Sequence, residues 1–254
     1  MCGIAGYLFN PDDFISEDVL VSAKDMLVHR GPDDFGFFND PEINIGFTQT
    51  RLSILDPSPL GHQPMVSEDG RVVLIFNGEI YNFRELRKRL EDKGQTFKGH
   101  SDTEVLLRLY ISEGATMLSR LNGIFSLAIW DGNIEALFIA RDAMGVKPLY
   151  YNIGKNYFAF ASEIKSLRYL ISSAPTIDYA ALHRYLSFLW SPGVSTPLTS
   201  VKKMNPGEAF WVRDGRIEKQ FVWYRLPFFS ERSTRVDKSK AIESTASHLR
   251  QAVH

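Results

Sequence analysis

Six apolar stretches of strand length, at residues 3–9, 43–48, 72–76, 124–130, 136–140 and 157–161, recur along the chain. Helical periodicity at residues 17–29, 83–90, 103–112 and 179–189 separates them. The stretches at 124–130 and 136–140 flank Asp131-Gly132-Asn133, a hairpin signal far too short for a parallel crossover. A second tight turn, Asp214-Gly215, joins residues 208–212 to 217–222. Hairpin-joined strands with helices segregated between them predict an α+β fold of antiparallel sheets, not a doubly wound parallel sheet. There is no internal repeat and no low-complexity segment.

The pattern changes after Trp223. Residues 230–240 are polar and charged, and residues 241–253 read as an amphipathic helix with no cap at its end. Two readings fit: the start of a second domain, or a terminal helix that docks back on the core. The expected division is residues 1–223 and 224–254.

Formal charge is −1, with lysine and arginine scattered along the sequence. That excludes the clustered basic footprint of a nucleic-acid or anionic-membrane binder. No signal peptide is visible, and no stretch approaches the ~18 apolar residues of a membrane span. A single cysteine cannot form an intramolecular disulfide, which fits a reducing cytoplasm. The six histidines show no metal-ligand spacing.

That cysteine is Cys2, directly behind Met1. Loss of Met1 would leave a thiol and a free α-amine on one residue. The thiolate is the nucleophile. An α-amine, with a reference pKa of about 7.7–8.0, can take the thiol proton directly or through one water. The competing reading is a small, inert, buried residue at the start of a strand.

Four further motifs each admit a structural and a chemical reading. Arg30-Gly31-Pro32-Asp33 is sufficiently explained as a helix stop. Asn77-Gly78-Glu79-Ile80-Tyr81-Asn82 reads either as a tight turn or as two converging donors. In the second case these are the Asn77 carboxamide and the Gly78 N–H, set to stabilise an oxyanion. Ser101-Asp102-Thr103-Glu104 forms a capping box that leaves Asp102 free to point outward and receive an ammonium. Arg51 reads as a solvated strand residue or as a planar fork for a carboxylate. Arginine for an α-carboxylate and aspartate for an α-ammonium would together hold an amino acid.

Taken in order, the motifs are more specific than any one of them. Residues 1–6 read Met-Cys-Gly-Ile-Ala-Gly, 29–33 His-Arg-Gly-Pro-Asp, 51–56 Arg-Leu-Ser-Ile-Leu-Asp and 77–82 Asn-Gly-Glu-Ile-Tyr-Asn. Ser-Asp-Thr-Glu at 101–104 and Leu-Asn-Gly-Ile-Phe-Ser at 121–126 follow. Then come Arg-Asp-Ala-Met-Gly-Val-Lys-Pro-Leu-Tyr-Tyr at 141–151 and Ala-Ser-Glu-Ile-Lys-Ser-Leu at 161–167. Over residues 2–223 the chain resembles the glutaminase domain of class II glutamine amidotransferases, in the form found in glutamine-hydrolysing asparagine synthetases.

The resemblance implies an N-terminal nucleophile hydrolase fold, a four-layer αββα sandwich of two antiparallel sheets. It implies Cys2 as nucleophile with its α-amine as base, and Asn77 and Gly78 as the oxyanion hole. Arg51 would bind the glutamine α-carboxylate and Glu79 with Asp102 the α-amine, while the backbone around Leu52 and Ile54 shapes the pocket. The expected products are glutamate and ammonia, with no cofactor in this domain.

In that family a C-terminal synthetase domain in cis binds ATP, with Mg, through a Ser-Gly-Gly-x-Asp-Ser loop and uses the ammonia to amidate aspartate. This sequence contains no such loop, and residues 237–254 resemble the first helix of that domain. A homodimer is compatible with the resemblance. The alternatives are the same glutaminase chemistry feeding another acceptor such as a sugar acid, a non-catalytic relative, or another N-terminal nucleophile amidase.

Overall fold

The computed structural model describes residues 1–10, 18–172, 175–226 and 237–253. Among these residues the strands are β1 (Gly3–Phe9), β2 (Asp34–Asp40), β3 (Ile45–Arg51), β4 (Met65–Val66), β5 (Val72–Ile80) and β6 (Gly123–Asp131). They continue as β7 (Ala136–Arg141), β8 (Tyr150–Ile153), β9 (Tyr157–Ala161), β10 (Val201–Lys203), β11 (Glu208–Arg213) and β12 (Arg216–Val222). The α-helices are α1 (Asp18–Asp25), α2 (Phe83–Glu91), α3 (Asp102–Glu113), α4 (Ile164–Leu167), α5 (Tyr179–Phe188) and α6 (Lys238–Val253).

The strands form two antiparallel six-stranded sheets, ordered β10-β8-β9-β1-β3-β2 and β12-β11-β7-β6-β5-β4. Side-chain alternation explains how they stack. From the first sheet Ile4, Leu8, Ile45, Phe47 and Phe158 point into a layer shared with Val73, Ile75, Ala128, Ile139 and Phe210 of the second. The opposite face of β1 and β9 buries Ala5, Tyr7 and Ala159 against Leu20 and Ala23 of α1 and Leu167 of α4. The opposite face of β5 and β6 buries Leu74, Phe76, Leu127 and Ile129 against Leu86 and Leu90 of α2 and Leu106 and Leu109 of α3. The result is four layers, helix–sheet–sheet–helix. Strands covered on both faces need apolar residues at every position, so they read as continuous apolar runs.

Most predicted elements appear with small shifts. The run at 43–48 begins at Ile45 and continues to Arg51, and that at 72–76 continues to Ile80. The Asn77-Gly78 pair is therefore not a turn: it lies mid-strand, opposite Ser126 and Phe125 of β6. The helix expected over 17–29 ends at Asp25 and gives way to a 3-10 turn over Val28–Arg30; Glu17 lies outside the described residues. The turn at 131–133 is longer than its hairpin signal, since Asp131 pairs with Ala136 and Glu135 adopts φ 50°. At Asp214-Gly215 both residues have positive φ, 49° and 70°, as a two-residue hairpin turn requires. Strands β2, β4, β8 and β10 carried no clear signal. They are short, or, like the Asp-Phe-Gly-Phe-Phe-Asn-Asp of β2, rich in residues that disfavour strands.

Met1–Tyr224 form one compact unit and Arg225–His254 another. In the second, α6 spans 16 residues and buries none of its side chains. Residues 227–236, with most of the polar stretch at 230–240, lie outside the described residues, as does His254. No helix among the described residues is long and apolar enough to cross a membrane.

Gly6 sits where β1 is clamped between β3 and β9. A Cβ there would lie 2.6 Å from the Phe47 ring, 2.7 Å from the Gly46 carbonyl oxygen and 2.8 Å from the Phe160 ring. Gly6→Val is expected to destabilise the fold by about 1–3 kcal/mol through overpacking. Urea denaturation checks this: the midpoint falls while the m-value holds.

Candidate active site

Cys2 lies just before β1, whose first residue, Gly3, pairs with Thr50 of β3. This register brings the thiol to the chain leaving β3. The Leu52 N–H donates to Cys2 Sγ at 3.5 Å, and the thiol can donate to the Leu52 carbonyl at 3.8 Å. Arg30 Nε donates to the Cys2 carbonyl at 2.9 Å. The same guanidinium donates through Nη1 to Glu163 Oε1 at 2.9 Å, and His29 Nε2 lies 2.9 Å from that oxygen. Gly31 lets this turn approach closely, since a Cβ there would lie 2.5 Å from the backbone of Arg51. The helix stop thus also anchors the cysteine. Burial pushes the Cys2 thiol up; the Leu52 N–H, the chain's terminal amine and Arg51 oppose it.

Arg51 ends β3 and is only 6% exposed, so it is not a solvated strand residue. Its guanidinium donates to the carbonyls of Ser58, at 3.3 Å, and Asp56. Arginine has five N–H donors, so the side chain is braced by its own loop and keeps donors for a ligand.

The Asp56 carboxylate extends this bracing. Oδ1 accepts from the Ser58 N–H at 3.0 Å and the Ser58 hydroxyl at 2.5 Å. Oδ2 accepts from the His100 N–H at 2.9 Å. One side chain thereby ties the loop after Arg51 to the loop before Asp102. The Ser58 hydroxyl and the His100 and Ser58 N–H groups, aided by Arg51, hold its pKa below the ordinary value.

Asn77, Gly78 and Glu79 belong to the last turns of the pleat of β5. Asn77 is fully buried, and neither atom of its carboxamide has a partner. Gly78 lies so close to β6 that a Cβ would collide with the Ile124 carbonyl. Asp102 departs from expectation. It is 6% exposed and points inward, because its Oδ2 accepts the Ile80 N–H at 3.0 Å and so ties α3 to the end of β5. Burial first, then the Glu79 charge, lifts its pKa to about 6. Glu79 is also raised by burial, with Lys147 and the terminal amine opposing the shift. Ser101 caps α3 by accepting the Glu104 N–H at 3.2 Å. The reciprocal half of the capping box is absent: the Glu104 carboxylate turns back to the Lys98 and Gly99 N–H groups, at 2.9 and 2.8 Å.

Cys2, Arg51, Leu52, Ile54, Gly78, Glu79 and Asp102 all line one cleft; Asn77, between the lining residues Phe76 and Gly78, is fully buried and does not line it. The volume of the cleft is about 30 Å³. A larger cavity of about 680 Å³ lies beside β4 and shares no residue with this cleft. Its cations Lys98 and Arg108 are paired with Glu68 and Glu104. Sequence reasoning did not single out Asp56 and Glu163, although each lies inside a quoted motif. Their use depends on partners 44 and 133 residues away.

The sequence profile of the glutamine amidotransferase domain family matches residues 1–224. The glutamine-hydrolysing asparagine synthetase 1 of Bacillus subtilis is 43% identical over 94% of this chain. A putative glutamine-hydrolysing asparagine synthetase of Methanocaldococcus jannaschii is 34% identical over 100% of it. The chain spans 37% and 52% of the length of these two relatives. Among solved structures, the glutamine phosphoribosylpyrophosphate amidotransferase of Bacillus subtilis superposes with a TM-score of 0.64. It covers 89% of this chain and 50% of its own at 19% identity, which establishes a shared fold.

Asp56→Ala is expected to cost about 1 kcal/mol, because it removes the acceptor of the part-buried Ser58 and His100 N–H groups. The Ser58 and His100 amides should then lose protection in hydrogen exchange. Since the folded pKa is depressed, this stabilisation is complete above the unfolded value of about 4 and is lost as pH falls through the folded one.

Proposed function

The chain belongs to the glutamine amidotransferase domain family, and from that premise we propose that it hydrolyses glutamine to glutamate and ammonia through a thioester on Cys2. One observation supports this above others: the nucleophile, Arg51, Glu79, Asp102 and Gly78 share a single cleft although they come from four separate segments.

Arg51 takes the α-carboxylate, and Glu79 with Asp102 takes the α-ammonium. This orients the side-chain carboxamide toward Cys2. After removal of Met1, the α-amine of Cys2 accepts the thiol proton as sulfur adds to the carboxamide carbon. The carbonyl oxygen becomes an oxyanion, which the Asn77 Nδ2 and the Gly78 N–H stabilise. Collapse of the tetrahedral adduct breaks the C–N bond, and the amine's proton leaves with ammonia. Water then attacks the thioester, breaks the C–S bond and frees glutamate and the thiol. The N–H of Leu52 and the grip of Arg30 on the Cys2 carbonyl fix the sulfur during both halves.

The relatives' names support a further step, in which the ammonia serves conversion of aspartate to asparagine by a synthetase domain in the same polypeptide. ATP and Mg belong to that domain in this reading. The residues of this chain do not fit them: the sequence lacks the Ser-Gly-Gly-x-Asp-Ser loop. Among the described residues no three His, Cys, Asp or Glu side chains converge on a metal position. No step of glutamine hydrolysis draws on either.

Glutamate release from glutamine, with intact mass reporting Met1 removal, tests the proposal. Cys2→Ala is expected to abolish release, and Asn77→Ala to lower kcat by about 10²–10³-fold. Activity that survives in Cys2→Ala would overturn it.

The Asp102 pKa of about 6 gives a pH expectation. Below that value the carboxyl is neutral and holds an ammonium poorly, so kcat/KM for glutamine should fall as pH drops from 7 to 5. Protonation of the Cys2 α-amine also slows the reaction over this range, so Asp102→Asn should make the limb shallower and leave the slope set by the amine. Because the folded pKa is raised, its effect on stability has the opposite sign. The ligand-free fold loses stability as pH rises from about 4 to 6, and a bound ammonium offsets that loss.

A further inference from the structure

The two sheets face each other across an apolar layer that changes character just beneath the cleft. On β5, Val73 and Ile75 point into the layer, so Asn77 does too; on β6, Ala128 and Trp130 do, and with them Ser126. On β3, Ile45 and Phe47 point the same way, followed by Gln49. Asn77, Ser126 and Gln49 are each 0% exposed. Both amide atoms of Asn77, both of Gln49 and the Ser126 hydroxyl oxygen lack a hydrogen-bond partner. An unpaired buried polar atom costs about 1–3 kcal/mol. Five such atoms on three side chains that face the layer between the sheets are a deficit that packing does not account for.

Register places two of these side chains together. Asn77 of β5 is directly opposite Ser126 of β6, and Ser126 is opposite Arg141 of β7. Directly opposed residues on one face have Cβ atoms about 4.5–5.5 Å apart, within reach of a side-chain hydrogen bond. Arg141 serves neither neighbour: its guanidinium is turned to the carbonyls of Lys147, at 2.7 Å, Gly145, at 2.5 Å, and Met204, and neither Asn77 nor Ser126 has a partner. Ser126 is therefore the cross-strand neighbour of Asn77 with a donor to spare.

A carboxamide can present either end to the cleft. Only the orientation with Nδ2 outward can stabilise an oxyanion; the other turns an oxygen toward the developing charge. A donor to Oδ1 on the inner side selects the productive orientation. We propose that Ser126 is a positioning residue for the oxyanion hole, its hydroxyl donating to Asn77 Oδ1 during acyl transfer so that Nδ2 faces the reacting oxygen. The bond forms as the reacting oxygen draws Nδ2 outward. This deepens the reading of the chain as a glutaminase and rests on it.

The test compares Ser126→Ala and Ser126→Thr with the parent chain, all with Met1 removed. Ser126→Ala should lower kcat for glutamine hydrolysis by about 10–100-fold, with KM within about threefold of the parent. Ser126→Thr keeps the hydroxyl and should restore kcat to within about threefold. L-Glutamate γ-semialdehyde is the discriminating probe. Addition of the thiol to its aldehyde carbon forms a C–S bond and a tetrahedral oxygen, while the thiol proton passes to the α-amine. Its affinity should drop in Ser126→Ala by the same factor as kcat. Alkylation of Cys2 by iodoacetamide expels iodide and builds no oxyanion, so its rate should not change.

An unchanged kcat in Ser126→Ala, beside an active parent, overturns this inference alone. So does a threonine variant as impaired as the alanine one, or a loss of iodoacetamide reactivity matching the loss of kcat. A processed parent that releases no glutamate overturns the glutaminase reading, and this inference with it.

Discussion

Packing of the two sheets against each other decides where every functional side chain ends up. Strands β1, β3 and β5 contribute Ile4, Phe47 and Ile75 to the shared apolar layer. That layer sets which face of each strand points inward. The start of β1, the end of β3 and the end of β5 reach the same rim, and there Cys2, Arg51 and Gly78 line one cleft. The pairing of Gly3 with Thr50 makes this specific. A slip of one residue would turn the inward-facing side chains of the slipped strand to its opposite face.

Around the rim, four carboxylates divide by environment. Asp56 and Glu163 are held below the usual range. Hydrogen bonds from Ser58 and His100 lower the first. Burial works against the second, but Arg30 and His29 prevail. Both bind protein groups and brace the loops that carry Arg51 and Cys2. Glu79 and Asp102 are raised, chiefly by burial, and face the cleft. A carboxylate that is costly to ionise alone gains most from an incoming cation, so the pair that carries a raised pKa is the pair suited to an ammonium.

Buried polar groups divide similarly. Asp142 is fully buried, yet its carboxylate accepts four backbone N–H groups, from Phe125, Met144, Val146 and Lys147. It joins the turn after β7 to β6 and leaves nothing unsatisfied. Asn77, Ser126 and Gln49 share that burial without the partners. The first arrangement serves the scaffold. The second adjoins strand residues that line the cleft, and a folded chain tolerates such a deficit chiefly at a functional site.

Much of this was legible without coordinates. Apolar runs and hairpin turns announced an α+β fold of antiparallel sheets, the family resemblance put the helices outside them, and the ordered motifs named most of the predicted residues that line the cleft. What stayed hidden was direction and partnership. The local cap at Ser101 was visible, but Asp102 turns inward because Ile80, 22 residues earlier, supplies an N–H. Asn-Gly is a turn signal in a short window, yet pairing with Ser126 and Phe125 holds it in a strand. Arg30 looked like the end of a helix, and only the packing of α1 and α4 on the first sheet brings it to the Cys2 carbonyl and Glu163. Periodicity, caps and turns act over one or two turns of chain, so the sequence by itself determined the fold class and the chemical inventory. Burial, protonation and hydrogen-bond partners arise from segments tens to more than a hundred residues apart, and those only the stacked sheets could decide.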